Sequence, residues 1–114
     1  MEVYSAEKGL IADNIRKAEG FWARFRGLML VSELKEGEGL FIKDCRMIHC
    51  FFMRFDIDVV YLDKDMRVVG LETVKPWRVG RSFRGARHVL ELPAGGAGVL
   101  AVGNRLHFQE EQLF

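Results

Sequence analysis

The stretch from Met47 to Leu62, MIHCFFMRFDIDVVYL, most restricts what this chain can become. A dense apolar run is interrupted by the charged corner Arg54–Asp56, and Ile57–Leu62 then follows, rich in β-branched residues. Each half has the length of a strand rather than of a helix. The stretch therefore reads as two core strands joined by a tight corner.

The remainder is cut into pieces of similar length by glycines and charge clusters. Gly9–Lys17 is a modest strand candidate, and Gly39–Lys43 reads as a buried strand. Asp63–Met66 is a tight connection to Arg67–Val74, so residues 57–74 form a β-hairpin on this reading. His88–Leu92 alternates as a strand does, Pro93–Gly98 is a turn or a very short helix, and Leu106–Phe108 is a last strand. Phe21, Phe25 and Leu28 recur at helical spacing beside Trp22 and Met29, which predicts one short helix at about residues 20–29. Lys75–Arg87 is a long loop with little apolar content. The fold class is mainly β: a single-domain antiparallel β-sandwich or barrel with one short helix. An α+β layer fold is the alternative.

Composition narrows the setting. With 114 residues there is room for one domain, and 49% apolar content supplies a core. No apolar run reaches the ~18 residues of a membrane-spanning helix. The N-terminal residues lack the layout of a secretory signal, so a cytoplasmic protein with no membrane partner is expected. Cys45 and Cys50 are then expected as reduced thiols. Their odd offset on a strand would point them to opposite faces. A net charge of +1 forces no acidic partner. Asn and Gln are scarce and charged residues make up 29%, the bias of a thermophile protein.

Taken together, several short motifs carry a family likeness. They are Arg24 with Gly27-Leu28-Met29, Gly39-Leu40, Ile48-His49 through Met53, Ile57-Asp58, Leu90-Glu91-Leu92-Pro93-Ala94-Gly95, and Gly103. In this order they resemble domain of unknown function family 192, also known as uncharacterised protein family 0127, over about residues 10–108. The resemblance implies a compact, sandwich-like β domain and brings no reaction, substrate or cofactor. Two positions depart from the family pattern. Asn104 stands where Asp is usual, which speaks against a carboxylate role at that turn. Met66 stands where Gly is frequent in the hairpin, which suggests a different turn type.

Five residues are candidates for a ligand site: Arg24, His49, Met53, Asp58 and Glu91. On a strand, His49 and Met53 share a face with Met47 and Phe51. A His–thioether pair suits Cu(I), but packing is the simpler role and no metal site is assigned. Asp58 heads an apolar strand and needs a partner if buried, either Arg24 or a run of turn N–H groups. Glu91 alternates out of phase with Leu90 and Leu92 and should face away from them. A solvated position is the plain reading for Glu91 and Arg24, while the resemblance implies that they line a shared cleft. A second set lies in the loop: Lys75, Trp77, Arg78, Arg81, Arg84 and Arg87, with Phe83 among them and no acid. Cations hold phosphates and aromatics stack on bases, so this composition suits single-stranded nucleic acid or another polyanion. The plain alternative is a solvated loop pairing with Glu33, Glu36 and Glu38.

The first functional reading is a non-enzymatic domain that binds a small molecule or a protein partner. Its groove would lie between the helix at 20–29 and the strands, with loop 75–87 as a wall. The alternative is a nucleic-acid or polyanion-binding accessory protein. A hydrolase or redox enzyme using Cys50 comes third; of His49 and His88 as its base, the adjacent His49 is disfavoured because neighbours on a strand point apart. The sequence singles out no catalytic residue, cofactor or oligomeric state.

Overall fold

The computed structural model describes residues 1–18, 34–48 and 54–110. The helix predicted at 20–29 lies outside them, as do His49–Met53. Among the described residues every regular element is a strand: β1 (Glu2–Ser5), β2 (Gly9–Ala12), β3 (Asn14–Ala18), β4 (Glu38–Ile42), β5 (Ile57–Leu62), β6 (Val68–Val74), β7 (His88–Pro93) and β8 (Leu106–Gln109).

They form two sheets, one ordered β2-β1-β8 and the other β3-β4-β7-β5-β6. All pairings are antiparallel except that of β3 with β4. The mainly β, sandwich-like architecture expected from the sequence is the one observed. Val3 of β1, Ala12 of β2 and Leu106 of β8 pack with Phe41, Val60, Leu62, Leu90 and Leu92 of the larger sheet. This is the layer between the sheets. The opposite face of the larger sheet carries a second cluster, with Leu40, Ile42, Val59, Tyr61 and Val89 under Ile48, Ala86 and Phe83. Because both faces are covered, every residue of β5 is buried. That explains why IDVVYL lacks the polar alternation of a strand with one wet face.

The hairpin of residues 57–74 forms as predicted, β5 against β6. Its turn departs from expectation: Met66 adopts φ 63°, the left-handed conformation that a glycine favours. The turn thus keeps that backbone shape without the glycine, held by Asp63 Oδ1, which accepts from the Asp65 and Arg67 N–H groups. Asn104 Oδ1 accepts from the Ala101 N–H at 2.9 Å, a bond that an aspartate could also make.

Two further expectations are corrected, and one strand has no counterpart in the sequence reading. Gly9–Lys17 is two strands in different sheets, breaking at Asp13. Ala12 and Ile15 are an odd number apart, so a straight strand would separate their faces; the break lets both enter the inter-sheet layer. Met47 and Ile48, assigned to a strand, belong to none. Glu2–Ser5 has too short an alternation to stand out, yet it is the middle strand of the smaller sheet.

Gly39 of β4 shows how closely the layer is packed. A Cβ there would lie 2.7 Å from the Glu91 carbonyl oxygen, 2.7 Å from the Ile15 Cδ1 and 2.9 Å from the Leu92 Cδ2. One of these neighbours is backbone and cannot swing aside. Gly39→Ala is expected to destabilise the fold by about 2 kcal/mol, read as a lower urea midpoint at unchanged m-value. An unchanged midpoint would show that the sheet gives way more easily than this geometry implies.

Candidate functional site

Asp58 and Glu91 are close in the fold but on opposite faces of one sheet. In the β5–β7 register Asp58 stands opposite Leu92, and Val59 stands opposite Glu91. Facing residues of an antiparallel pair share a side, so Asp58 belongs to the inter-sheet side and Glu91 to the outer side. The expected groove containing both is therefore divided by the sheet itself.

Asp58 is 7% exposed and fully engaged. Thr73 Oγ1 donates to its Oδ1 at 2.7 Å, and the N–H groups of Gly95 and Ala97 donate to its Oδ2 at 3.0 and 3.1 Å. Of the two expected partners, these turn N–H groups are the ones seen; Arg24 lies outside the described residues. Pro93–Gly98 is a series of turns, and the carboxylate holds it against β5 and β6. Asp58→Ala leaves the two turn N–H groups without their acceptor, and about 3 kcal/mol of stability should be lost. Chemical unfolding measures this; a loss below about 1 kcal/mol would show that water replaces the carboxylate.

Glu91 faces away from Leu90 and Leu92 as its alternation requires, but it is not solvated: it is 4% exposed. The outer face is roofed over, so pointing outward from the sheet does not mean reaching water. Its cross-strand neighbours are Leu40 and Val59. Its Oε2 has no hydrogen-bond partner among the described residues. Burial pushes its carboxyl up to about 8 from the ordinary 4.5. Between these values the folded chain holds a proton that the unfolded chain has released, so stability falls as pH rises and levels off above about 8. The slope reaches at most about 1.4 kcal/mol per pH unit. His88 opposes it at lower pH, because burial above all lowers its pKa from 6.5. Glu91→Gln should remove the Glu91 slope, and the wild-type-minus-variant difference across pH 5–9 isolates it. A flat difference would mean that the carboxylate is solvated or paired.

Two polar groups share that outer face. Tyr61 donates its hydroxyl to Glu72 Oε2 at 2.6 Å, and burial foremost, then this bond, raises the phenol pKa. Glu72 stands opposite Val59 on the far side from Glu91, so Glu72, Val59, Glu91 and Leu40 form one row across four strands.

The basic loop is tied down at several points. Gly80 N–H donates to the Ile48 carbonyl, Arg81 N–H to Glu72 Oε2, and Arg87 N–H to the Leu62 carbonyl. Phe83 packs on Tyr61 with ring centroids 4.5 Å apart. It occupies the space above Gly70, where any Cβ would strike its ring. Lys75, Arg78, Arg81, Arg84 and Arg87 are all exposed, and Trp77 is 58% exposed. Pairing with Glu36 or Glu38 does not occur among the described residues, while Glu33 lies outside them. Arg87 Nε approaches Asp44 Oδ1 at 3.8 Å on an open surface, a weak pair. The Arg81 guanidinium lies 5.3 Å from the Phe83 centroid.

Two cavities open beside these elements. One, of about 530 Å³, runs past Leu10, Gly37, Leu92, Pro93, Gly96 and Val99. The other, of about 600 Å³, is lined by Arg46, Asp63, Lys64, Ser82, Arg84 and Arg87, among others. Arg46 and Lys64 escape a reading by charge runs because each is isolated in sequence. The β5–β7 pairing brings Lys64 near Arg87, since Leu62 faces His88. A correct strand pairing would have been the signal. Among the described residues no group of three His, Cys, Asp or Glu side chains is placed to hold a metal ion. Cys45 donates its thiol to the Met47 carbonyl at 3.0 Å. His88 Nδ1 accepts from the Asp44 N–H at 3.0 Å and so carries no proton. Of the expected site residues, Arg24, His49 and Met53 lie outside the described residues, as does Cys50.

Residues 3–108, nearly the whole span of the eight strands, match the model of the DUF192 family, described as "Uncharacterized ACR". The chain belongs to that family. Curated DUF192-like relatives named UPF0127 protein come from archaea. One from Thermococcus gammatolerans is 40% identical over 87 residues, 72% of this chain and 56% of the relative. One from Thermococcus kodakarensis is 38% identical over 86 residues, 71% of this chain and 54% of the relative. The chain thus spans about half the length of these two. One from Pyrococcus furiosus is 34% identical over 99 residues, 82% of this chain and 85% of the relative. These relatives come from thermophilic archaea, in keeping with the scarcity of Asn and Gln. Two crystal structures share the fold at 19% identity. A protein of unknown function from Novosphingobium aromaticivorans superposes with a TM-score of 0.81, covering 95% of this chain and 84% of its own. A putative transcription regulator from Sinorhizobium meliloti superposes with 0.76, covering 93% and 89%. No specific activity accompanies the DUF192 assignment. Among the described residues no helix is long and apolar enough to cross a membrane.

Proposed function

We propose that this DUF192 domain is a non-enzymatic binding module whose small ligand seats on the outer face of the larger sheet, at Glu91. The supporting observation is the buried Oε2 of Glu91 with no partner among the described residues. A carboxyl group in that position costs the fold on the order of 1–3 kcal/mol unless something hydrogen-bonds to it. A ligand carrying a donor or acceptor beside an apolar body would satisfy it. Protonated at neutral pH, the carboxyl offers one O–H donor and one carbonyl acceptor. Leu40 and Val59 supply apolar walls, and the Tyr61–Glu72 pair supplies a further polar group on the same face. Asp58 is not part of this reading, because it faces the other side and its oxygens are engaged. On this reading we assign the domain to the cytoplasm, a setting in which a thiol such as Cys45 stays reduced.

Native mass spectrometry of the protein as purified, without chelator or added metal, tests this reading without a guess at the ligand. Wild type should carry an added mass that disappears on denaturation, and Glu91→Gln should carry less of it or none. A bare wild-type mass, or equal occupancy in both proteins, would rule Glu91 out as the seat of a ligand.

A further inference from the structure

Glu91 is not among the residues lining the larger of the two cavities, and the cavity's chemistry is different. Arg46, Lys64, Arg84 and Arg87 line it, and all four are exposed. The one acid among its lining residues is Asp63, whose Oδ1 is already engaged by the Asp65 and Arg67 N–H groups. Four cations and one acid therefore line it, with Asp44 outside the lining but 3.8 Å from Arg87 Nε, in a chain whose whole net charge is +1. The excess is local, and the fold creates it. Arg46 follows β4, Lys64 sits in the β5–β6 turn, and Arg84 and Arg87 come from the loop before β7. Three separate segments converge there, which no run in the sequence specifies.

We propose that this cleft binds the phosphate groups of a small phosphorylated molecule of about nucleotide size. Three features support the ligand class. Guanidinium groups present forked donors that match phosphate oxygens, and Ser82 adds a hydroxyl. A volume of about 600 Å³ lies in the range of small-molecule sites. The walls are preorganised: Phe83 is packed on Tyr61 above Gly70, Ala86 is buried, and Arg87 N–H is bonded to the Leu62 carbonyl at 2.7 Å. Fixed walls reduce the ordering cost of binding. Lys75, Trp77, Arg78 and Arg81 do not line the cleft, so the site is narrower than the whole basic loop. Glu91 is not among its lining residues, although Phe83 and Ala86 belong both to the cleft and to the cluster on Glu91's face of the sheet.

Isothermal titration at low salt with three probes tests the site: inorganic pyrophosphate, ADP and a ten-residue oligothymidylate. Pyrophosphate and ADP should bind the wild type. The double variant Arg84→Gln with Arg87→Gln should weaken both at least tenfold, whereas Lys75→Gln with Arg78→Gln should change them less than twofold. Arg84→Lys, which keeps the charge and loses the fork, should fall between. Glu91→Gln should bind like the wild type, so failure at one site leaves the other standing. The substituted lysine and arginine positions are exposed, and an unchanged urea midpoint confirms that those variants fold; for the buried Glu91→Gln a cooperative urea transition does so. No binding of pyrophosphate or ADP would overturn the proposal. So would equal weakening by the two double variants, which marks diffuse attraction. Tighter binding of the oligonucleotide that depends equally on both pairs would overturn it in favour of single-strand binding by the whole loop. In that case log K should fall with log salt by about 0.7 per phosphate contact.

Discussion

The carboxylate of Asp58 is the tie on which much of the larger sheet depends. It stands on β5, takes a hydroxyl from β6, and takes two backbone N–H groups from the turns after β7. Three consecutive segments of the sheet are thereby fixed at one end by one side chain. Turns rich in glycine, as at Pro93–Gly98, have little side-chain packing to hold them. An anionic acceptor buried among their N–H groups does that work instead. With that end fixed, β7 runs between β4 and β5 in register, and the two faces of the sheet receive their separate clusters.

That division decides what each acid can do. Asp58 and Glu91 come from strands that pair with each other, yet their surroundings are opposite. One has every oxygen engaged; the other has an oxygen with no partner among the described residues. Burial alone does not distinguish them, since both are almost wholly enclosed. Among the described residues the difference is whether a backbone donor comes within reach, and the turns after β7 supply two on the inter-sheet side.

Strands with a dense β-branched or alternating pattern were legible in sequence, and β5 is found with the bounds assigned to it. The hairpin followed because its turn is short. What escaped has a physical cause in each instance. The break at Asp13 depends on two sheets competing for adjacent residues, which no local pattern displays. Glu2–Ser5 becomes a strand because two neighbours pair with it, not from its own propensity. Glu91 obeys its alternation, but whether the outward side is wet depends on which segments fold over it. The basic loop was visible as composition. Its cleft was not, because Lys64 joins it through the β5–β7 register and Arg46 through the β4–β7 register.

The pairing of β1 with both β2 and β8 has a consequence for how the chain acquires its structure during synthesis. β2 follows β1 closely, but β8 is among the last residues of the domain to leave the ribosome. Until then β1 presents an open edge of hydrogen-bonding groups, and Val3 lacks its partner Phe108. The inter-sheet layer also waits, since Leu106 belongs to it. Completion is therefore a late event with a long loop to close, and the nascent chain carries an unpaired strand edge throughout. Such an edge is a template for pairing with other chains. Shielding by the ribosome or a chaperone would matter most in the interval before Leu106 emerges.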